Sequence, residues 1–431
     1  MAANIFTQYI LPVIYLVLIG VFFARSKSLK RTGFSTGFKV GFAWLKCLAG
    51  VVYAYVMMHL IPKGDDVGLL FGGGLEIYNA FLNDPTGFPA YLAKMFAIND
   101  FRLGHTDSDF IRTVFEGIKF IHFVLDLFSF GNLYTNVILF NGTAAFLFLK
   151  CWQYLKSHLG TLIAGAFIFL FPSSFFYSSG ILKEGLMLFL MAATIPLVIK
   201  FRRHPQVKIL IGAGFCMLLM FFFKFLIAVT FAGGLFLWWL FSRFPNQKWQ
   251  LAMLVTALSV TAFFGAGLVT DSLNLPNYII DRQAEFLNLE ANSVISYPQL
   301  EPDFFSFAKN LPLATVNAMV RPFPGDGGKL MYMVYALEML VFWVCMVWII
   351  IKGKRRMLNK IPAFVWAMFL FAIANLLIIG YSIPNIGSIT RYRSIFMPFI
   401  GLFIFYWFNG WQVLQPVLAM VKKRFKWTNV Y

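Results

Sequence analysis

Ten charged residues are set in a chain that is otherwise strongly apolar: Asp65, Asp66, Lys183, Glu184, Lys224, Arg321, Asp326, Glu338, Arg391 and Arg393. They are where this sequence could do chemistry. Arg and Lys bind phosphate oxygens, and Arg does so with two parallel donors. A carboxylate can take the proton of an attacking hydroxyl or hold a divalent cation. An unpaired charge against an apolar run is costly, so Lys183-Glu184, at the head of "KEGLMLFLMAAT", calls for a reason. Two readings of that pair are open. Either its members neutralise each other or snorkel to the interface, or they border a site that opens outward.

The elements that must position these residues are membrane helices. The 431 residues are 60% hydrophobic and 19% aromatic, with 13% charged and a mean hydropathy of +0.74. The apolar runs are long and continuous, which indicates an all-α polytopic membrane protein and excludes a β-barrel of short alternating strands. The apolar-run criterion predicts about eleven transmembrane helices. They lie near Gln8–Ala24, Phe42–Ile61, Leu133–Leu149, Leu159–Phe176, Ile181–Lys200, Val207–Phe222, Phe225–Phe241, Trp249–Thr270, Leu330–Ile351, Pro362–Gly380 and Ser394–Trp411. Val207–Phe222 and Phe225–Phe241 read as a hairpin with Lys224 at its tip. The first run has no basic segment before it and no small-residue cleavage site after it, so it reads as a retained helix. Residues 1–431 read as one transmembrane domain with two long outer loops, 62–132 and 271–329.

Charge placement orients the helices. Connections 25–39, 150–158, 200–208, 243–248, 352–360 and 422–426 carry Lys and Arg and no Asp or Glu. All 18 acidic residues fall in the opposite connections and the adjoining helix ends. By the positive-inside rule the N-terminus is outside, the C-terminus is cytoplasmic, and the helix number is odd. The net charge of +18 then reflects topology and contact with anionic lipid, and implies no nucleic-acid partner.

On this topology the ten residues share the outer face. Asp65-Asp66 follow a helix end. Pro172 to Gly180, in "FPSSFFYSSGILKEG", reads as a short outer loop that delivers Lys183-Glu184 to the next helix. A short helix over Leu69–Leu82 and an amphipathic, interfacial helix in "DFIRTVFEGIKFIHFVLDLF" are expected in the first long loop. Arg321, Asp326, Lys329 and Glu338 gather where the second long loop returns to the membrane. Arg391 and Arg393 are two apart, so on a regular helix they point about 200° from each other. Both face one ligand only if "SITRYR" is partly extended. An outward pocket with basic groups at its floor and apolar walls suits a lipid-linked phosphate.

The layout resembles the GT-C class of membrane glycosyltransferases, which use polyprenyl-phosphate sugar donors outside the cytoplasm. That class has an acidic motif in the first outer loop, just after a helix, and the loop continues as juxtamembrane helices. Asp65-Asp66 and Asp109–Phe128 match this arrangement, with Gln8–Ala24 as an extra N-terminal helix. The phrases "FPSSFFYSSGILKEG", "VRPFPGDGG" and "GSITRYRSIFMPF" are similar to bacterial inner-membrane proteins of exopolysaccharide and O-antigen assembly. The resemblance implies Asp65 or Asp66 as the catalytic base. It implies a polyprenyl-phosphate-linked sugar as donor and a glycan or lipid-linked molecule as acceptor, with a divalent cation as the one possible cofactor. Lys224, Arg391 and Arg393 are phosphate ligands by position only. Two other readings compete. An O-antigen or exopolysaccharide polymerase or ligase would rely on Arg pairs. A transporter or flippase should carry polar groups through the midplane, and the one-sided acidic residues disfavour it.

The remaining signals are bland. Gly72–Gly74 lacks the Lys-Ser/Thr of a phosphate loop and reads as a flexible turn. The five His have no ligand spacing. Cys47, Cys151, Cys216 and Cys345 read as apolar core residues. Asn141 falls inside a helix.

Overall fold

The computed structural model describes residues 5–30, 32–60, 66–97, 109–159, 163–269, 274–288, 293–295, 297, 299–326 and 330–416. Among these there is no strand, only one isolated antiparallel bridge between Val294 and Asn385. Eight described helices are long and apolar enough to cross a membrane: Phe6–Arg25, Thr36–His59, Leu133–Leu159, Lys183–Arg203, Val207–Arg243, Lys248–Leu268, Leu330–Lys352 and Ala363–Ser382. The protein is thus an all-α polytopic membrane protein. The chain divides into two compact units, Met1–Ala228 and Val229–Tyr431.

The first unit holds α1 (Leu11–Arg25), α2 (Lys27–Lys30), α3 (Thr36–His59), α4 (Asp66–Asn83), α5 (Phe88–Met95), α6 (Asp109–Ser129), α7 (Leu133–Leu159), α8 (Ile163–Leu170), α9 (Pro172–Tyr177), α10 (Lys183–Arg203) and the first part of α11 (Val207–Arg243). Ser35 starts α3 by accepting the Phe38 amide at 3.2 Å. The expected short and amphipathic helices of the first long loop are present as α4 and α6, packed on each other. The Gly72–Gly74 run is not a turn; it lies inside α4. It lets α6 come close, because a Cβ on Gly74 would strike the Cβ of His122 and one on Gly73 would meet the Lys119 stem.

The expected span over Leu159–Phe176 is broken. Pro172 has no N–H to give and disfavours a helical residue before it, and Phe171 is accordingly extended (φ −64°, ψ 125°). The pieces, α8 with 8 residues and α9 with 6, are each too short to span alone. The two spans expected over Val207–Phe241 form α11, whose helical geometry fails at Lys224 (φ −152°, ψ 83°). Before the break α11 runs antiparallel to α10, with Gly212 near Leu197, Cys216 near Thr194 and Lys224 near Glu184.

The second unit holds the rest of α11, then α12 (Lys248–Gly265), α13 (Leu275–Leu287), α14 (Phe304–Met319), α15 (Leu330–Lys352), α16 (Ala363–Ser382), α17 (Ile386–Arg393) and α18 (Met397–Trp407). Here α11 lies antiparallel on α16: Asn375 donates to Thr230 at 2.9 Å, and the Trp238 and Phe364 rings are 5.2 Å apart. The second long connection is no loop over much of its length. It carries α13, capped by Asn274, and α14, capped by Asp303 through the amides of Phe305 (2.8 Å) and Ser306 (3.0 Å). α14 packs on α16, where Gly380 leaves room for the Ala314 carbonyl. Cys47 and Cys151 are core residues as expected, Cys216 is half-buried, and Cys345 is on an exposed face of α15.

Candidate functional site

In the first unit the chemistry gathers where α9 ends and α10 begins. Pro172 to Gly180 is not an outer loop. It is α9 followed by a buried turn, with Ser178 and Ser179 both out of solvent. The turn is held by Lys46, a fully buried lysine inside α3. Its ammonium donates to Ser178 Oγ at 2.6 Å, Ser179 Oγ at 2.8 Å and the Phe175 carbonyl at 2.9 Å. These three bonds use all three of its protons. The Phe175 and Phe148 ring centroids lie 4.7 and 5.2 Å away. A cation at the carbonyl end of α9 also suits the helix dipole. At 1.5 Å per residue Lys46 lies about 15 Å from one end of α3 and about 20 Å from the other, near mid-span.

From this anchor the chain is steered to the charged pair. Asn141 Nδ2, on α7, donates to the Ser179 carbonyl at 2.8 Å. Gly180 fits against the Tyr53 ring, and the Gly180 carbonyl abuts Gly185 on the first turn of α10. Glu184, beside Gly185, is nearly buried and pairs with Lys224 at 2.8 Å. Lys183 points elsewhere: its ammonium sits 3.8 Å from the centroid of the Phe115 ring on α6. Lys183 and Glu184 are therefore not a mutually neutralised couple. Glu184 joins α10 to the break in α11, and Lys183 joins α10 to the interfacial helix. α6 also touches α11 just before the break, since Gly117 packs on Phe222 and Phe223. Asp66 is the first residue of α4, where its charge suits the N-terminal dipole. Asp65 lies outside the described residues.

In the second unit the arginines converge. "SITRYR" is not extended; it is the helix α17, started by Asn385 through the amide of Gly387 at 2.9 Å. Arg391 and Arg393 therefore point to different sides. Arg393 is buried and donates through Nη1 to the Arg321 carbonyl. Arg391 is half-buried, with Nη2 3.2 Å from the Tyr392 hydroxyl. Arg321 lies 3.7 Å from Asp326, and its Nε is buried with no acceptor among the described residues. Asp326 Oδ2 accepts the Phe323 amide at 2.8 Å and closes the turn that carries Gly325 at φ +99°, a left-handed residue suited to glycine. Glu338 is in the third turn of α15, farther along the helix than a residue at its end. Lys329 lies outside the described residues. Among the described residues no three His, Cys, Asp or Glu side chains are grouped as metal ligands.

The predicted set is thus resolved into two groups, Lys183, Glu184 and Lys224 in one unit and Arg321, Asp326 and Arg393 in the other. The sequence reading assigned no role to Lys46, Ser178, Ser179 or Asn141. The signal for Lys46 was a lysine inside an apolar run, "FAWLKCLAG"; the serines and Asn141 had none. It also assigned no role to Asp126 and His122, both buried in α6. No protein-family model, no curated protein and no solved structure matches this chain.

Proposed function

We propose that this protein is a membrane glycosyltransferase that takes sugar from a polyprenyl-phosphate-linked donor at the outer face of the cytoplasmic membrane, in surface polysaccharide or glycan assembly. The observation that carries the reading is the arginine group of the second unit, where buried Arg393 meets the backbone of Arg321, whose own Nε lacks an acceptor among the described residues. Guanidinium groups held this way suit the phosphate of a lipid-linked donor. A glycosyl transfer also needs a base to take the acceptor's hydroxyl proton. Asp66, or its neighbour Asp65, is the residue offered for that role.

The experiment separates binding from chemistry. Binding of a polyprenyl-phosphate-linked sugar to the purified protein should weaken about tenfold or more in Arg321→Lys and Arg393→Lys, since a charged hydrogen bond is worth about 1.5–3 kcal/mol. Asp65→Asn and Asp66→Asn should bind normally, and the one that is the base should lose about two to four decades of turnover. Normal donor binding in both arginine variants would refute the phosphate assignment. Normal turnover in both Asp variants and in the double would refute the base. It would favour the polymerase or ligase reading, which the approach of Arg393 to Arg321 also suits. Lys46 is a mid-span charge of the kind transport would need, but its three protons are already committed to the protein's own oxygens.

A further inference from the structure

The corner between α6 and α7 buries a carboxylate that the proposed reaction does not use. Asp126 is wholly buried in the last turn of α6. Its Oδ1 accepts from Asn136 Nδ2 on α7 at 2.6 Å and from Ser129 Oγ at 3.3 Å. Its Oδ2 is equally buried and has no donor among the described residues. The Asn136 side chain has the same defect: Nδ2 is used, while Oδ1 is buried and has no donor among the described residues. Two residues already joined by one hydrogen bond therefore each hold one orphaned acceptor. An unmet buried acceptor is costly, and an unpaired buried anion more so.

One proton meets both needs. We propose that the α6–α7 corner is a proton-binding site in which Asp126 is a carboxylic acid that donates through Oδ2 to Asn136 Oδ1. Acid and amide then close a ring of two hydrogen bonds, N–H to Oδ1 and O–H to the amide oxygen. Water supplies the proton and takes it back, so no other reactant is needed.

The surroundings favour the neutral form. The carboxyl group lies at the negative end of the α6 dipole, where an anion is disfavoured. Among the described residues, the groups that face it bring no cation. α7 brings Asn136, which is uncharged. On α6, His122 lies one turn earlier, buried among apolar groups, and burial pushes it down to about 4, so it is neutral at ordinary pH. The nearer ion pair on α6, Glu116 with Lys119 at 2.8 Å, is self-contained. α4 turns Glu76 to the exterior and packs Gly74 on His122. α1 brings Tyr15, whose hydroxyl donates to the Phe128 carbonyl at 3.0 Å. Burial pushes the Asp126 carboxyl up to about 6, while the hydrogen bonds from Asn136 and Ser129 pull the other way.

The sign follows from the linkage. A carboxyl raised above its solvent-exposed value of about 3.9 holds its proton more tightly in the closed corner. That stabilisation is fully present at low pH and is lost as pH rises towards 6. The equilibrium for opening the corner should rise roughly fiftyfold between pH 4 and 8. α6 is also the helix whose Phe115 lies on Lys183 and whose Gly117 lies on Phe222 and Phe223. Proton occupancy at Asp126 thus acts on the helix that packs on Lys183 and on α11 just before its break. The proton site itself stands apart from the proposed activity.

Infrared difference spectra of the full-length purified protein between pH 4.5 and 8 test this. The wild type should show the C=O stretch of a protonated acid, lost with a midpoint near pH 6. Asp126→Asn, which keeps the ring as an amide pair, should lack that band. Asn136→Ala should move it, because Oδ1 loses its amide donor; this variant serves if Asp126→Asn does not fold. Identical spectra for the wild type and Asp126→Asn, or for the wild type and Asn136→Ala, would overturn the proposal. So would carboxylate bands that respond to sodium and not to pH, which would assign the orphaned oxygens to a metal ion.

Discussion

Replacing Lys46 with Met tests whether the turn before α10 is held from inside α3. Met matches the lysine stem and favours helix about as well, so α3 should persist. The change removes three hydrogen bonds from a charged donor, to Ser178, Ser179 and the Phe175 carbonyl. At about 1.5–3 kcal/mol each, these amount to roughly 5–9 kcal/mol. Burying an ammonium costs several kcal/mol, which the variant recovers. The serines also keep a partner, because both hydroxyls donate to the Phe175 carbonyl, at 3.3 and 2.7 Å. The net loss should therefore be about 1.5–3 kcal/mol, and it should fall on the turn. Hydrogen exchange of the amides of residues 178–182 should quicken roughly tenfold to hundredfold, while those of α3 stay protected. Lys46→Glu should fail outright, because it sets a carboxylate against a backbone carbonyl. Unchanged exchange over 178–182 in Lys46→Met would show that Asn141 and the packing of Gly180 on Tyr53 hold the turn without the lysine.

Three further outcomes are expected. Glu184→Gln should destabilise the protein by removing the carboxylate paired with Lys224, and adding Lys224→Gln should restore part of the loss in a thermal unfolding cycle. Reversing Lys183-Glu184 should not be tolerated, since it sets an ammonium against Lys224 and a carboxylate on the face of Phe115; a reversed protein of normal stability would contradict the pairing. For the proposed orientation, a reporter active only in the cytoplasm should work when fused after Tyr431 and be silent within 285–300; the reverse pattern would remove the outward face.

How far the sequence could be read depended on whether the signal was local. Apolar runs and a 3.6-residue period made the membrane class, α4 and α6 legible, because burial and helical spacing act within one element. Proline chemistry could have marked the break at Phe171, yet the apolar composition of Leu159–Phe176 masked it. Gly72–Gly74 shows a second kind of miss. The same three glycines fit a turn or a close helix crossing, and only the neighbour, His122 on α6, decides between them. The ionic pairings lay further out of reach. Lys183-Glu184 invited a local reading because its charges are adjacent, but Glu184 finds Lys224 forty positions on, at a residue whose backbone leaves the helix. No periodicity encodes that match; it follows from α10 and α11 running antiparallel. The arginines carry the same lesson with the opposite sign. Arg391 and Arg393 look like one bidentate seat on paper. Asn385 starts a helix there, the 200° between them becomes real, and Arg393 takes as its neighbour a residue just past the end of α14, Arg321. A phosphate seat in this unit is therefore built across elements, and the donor-binding measurement is most informative at Arg321 and Arg393 together.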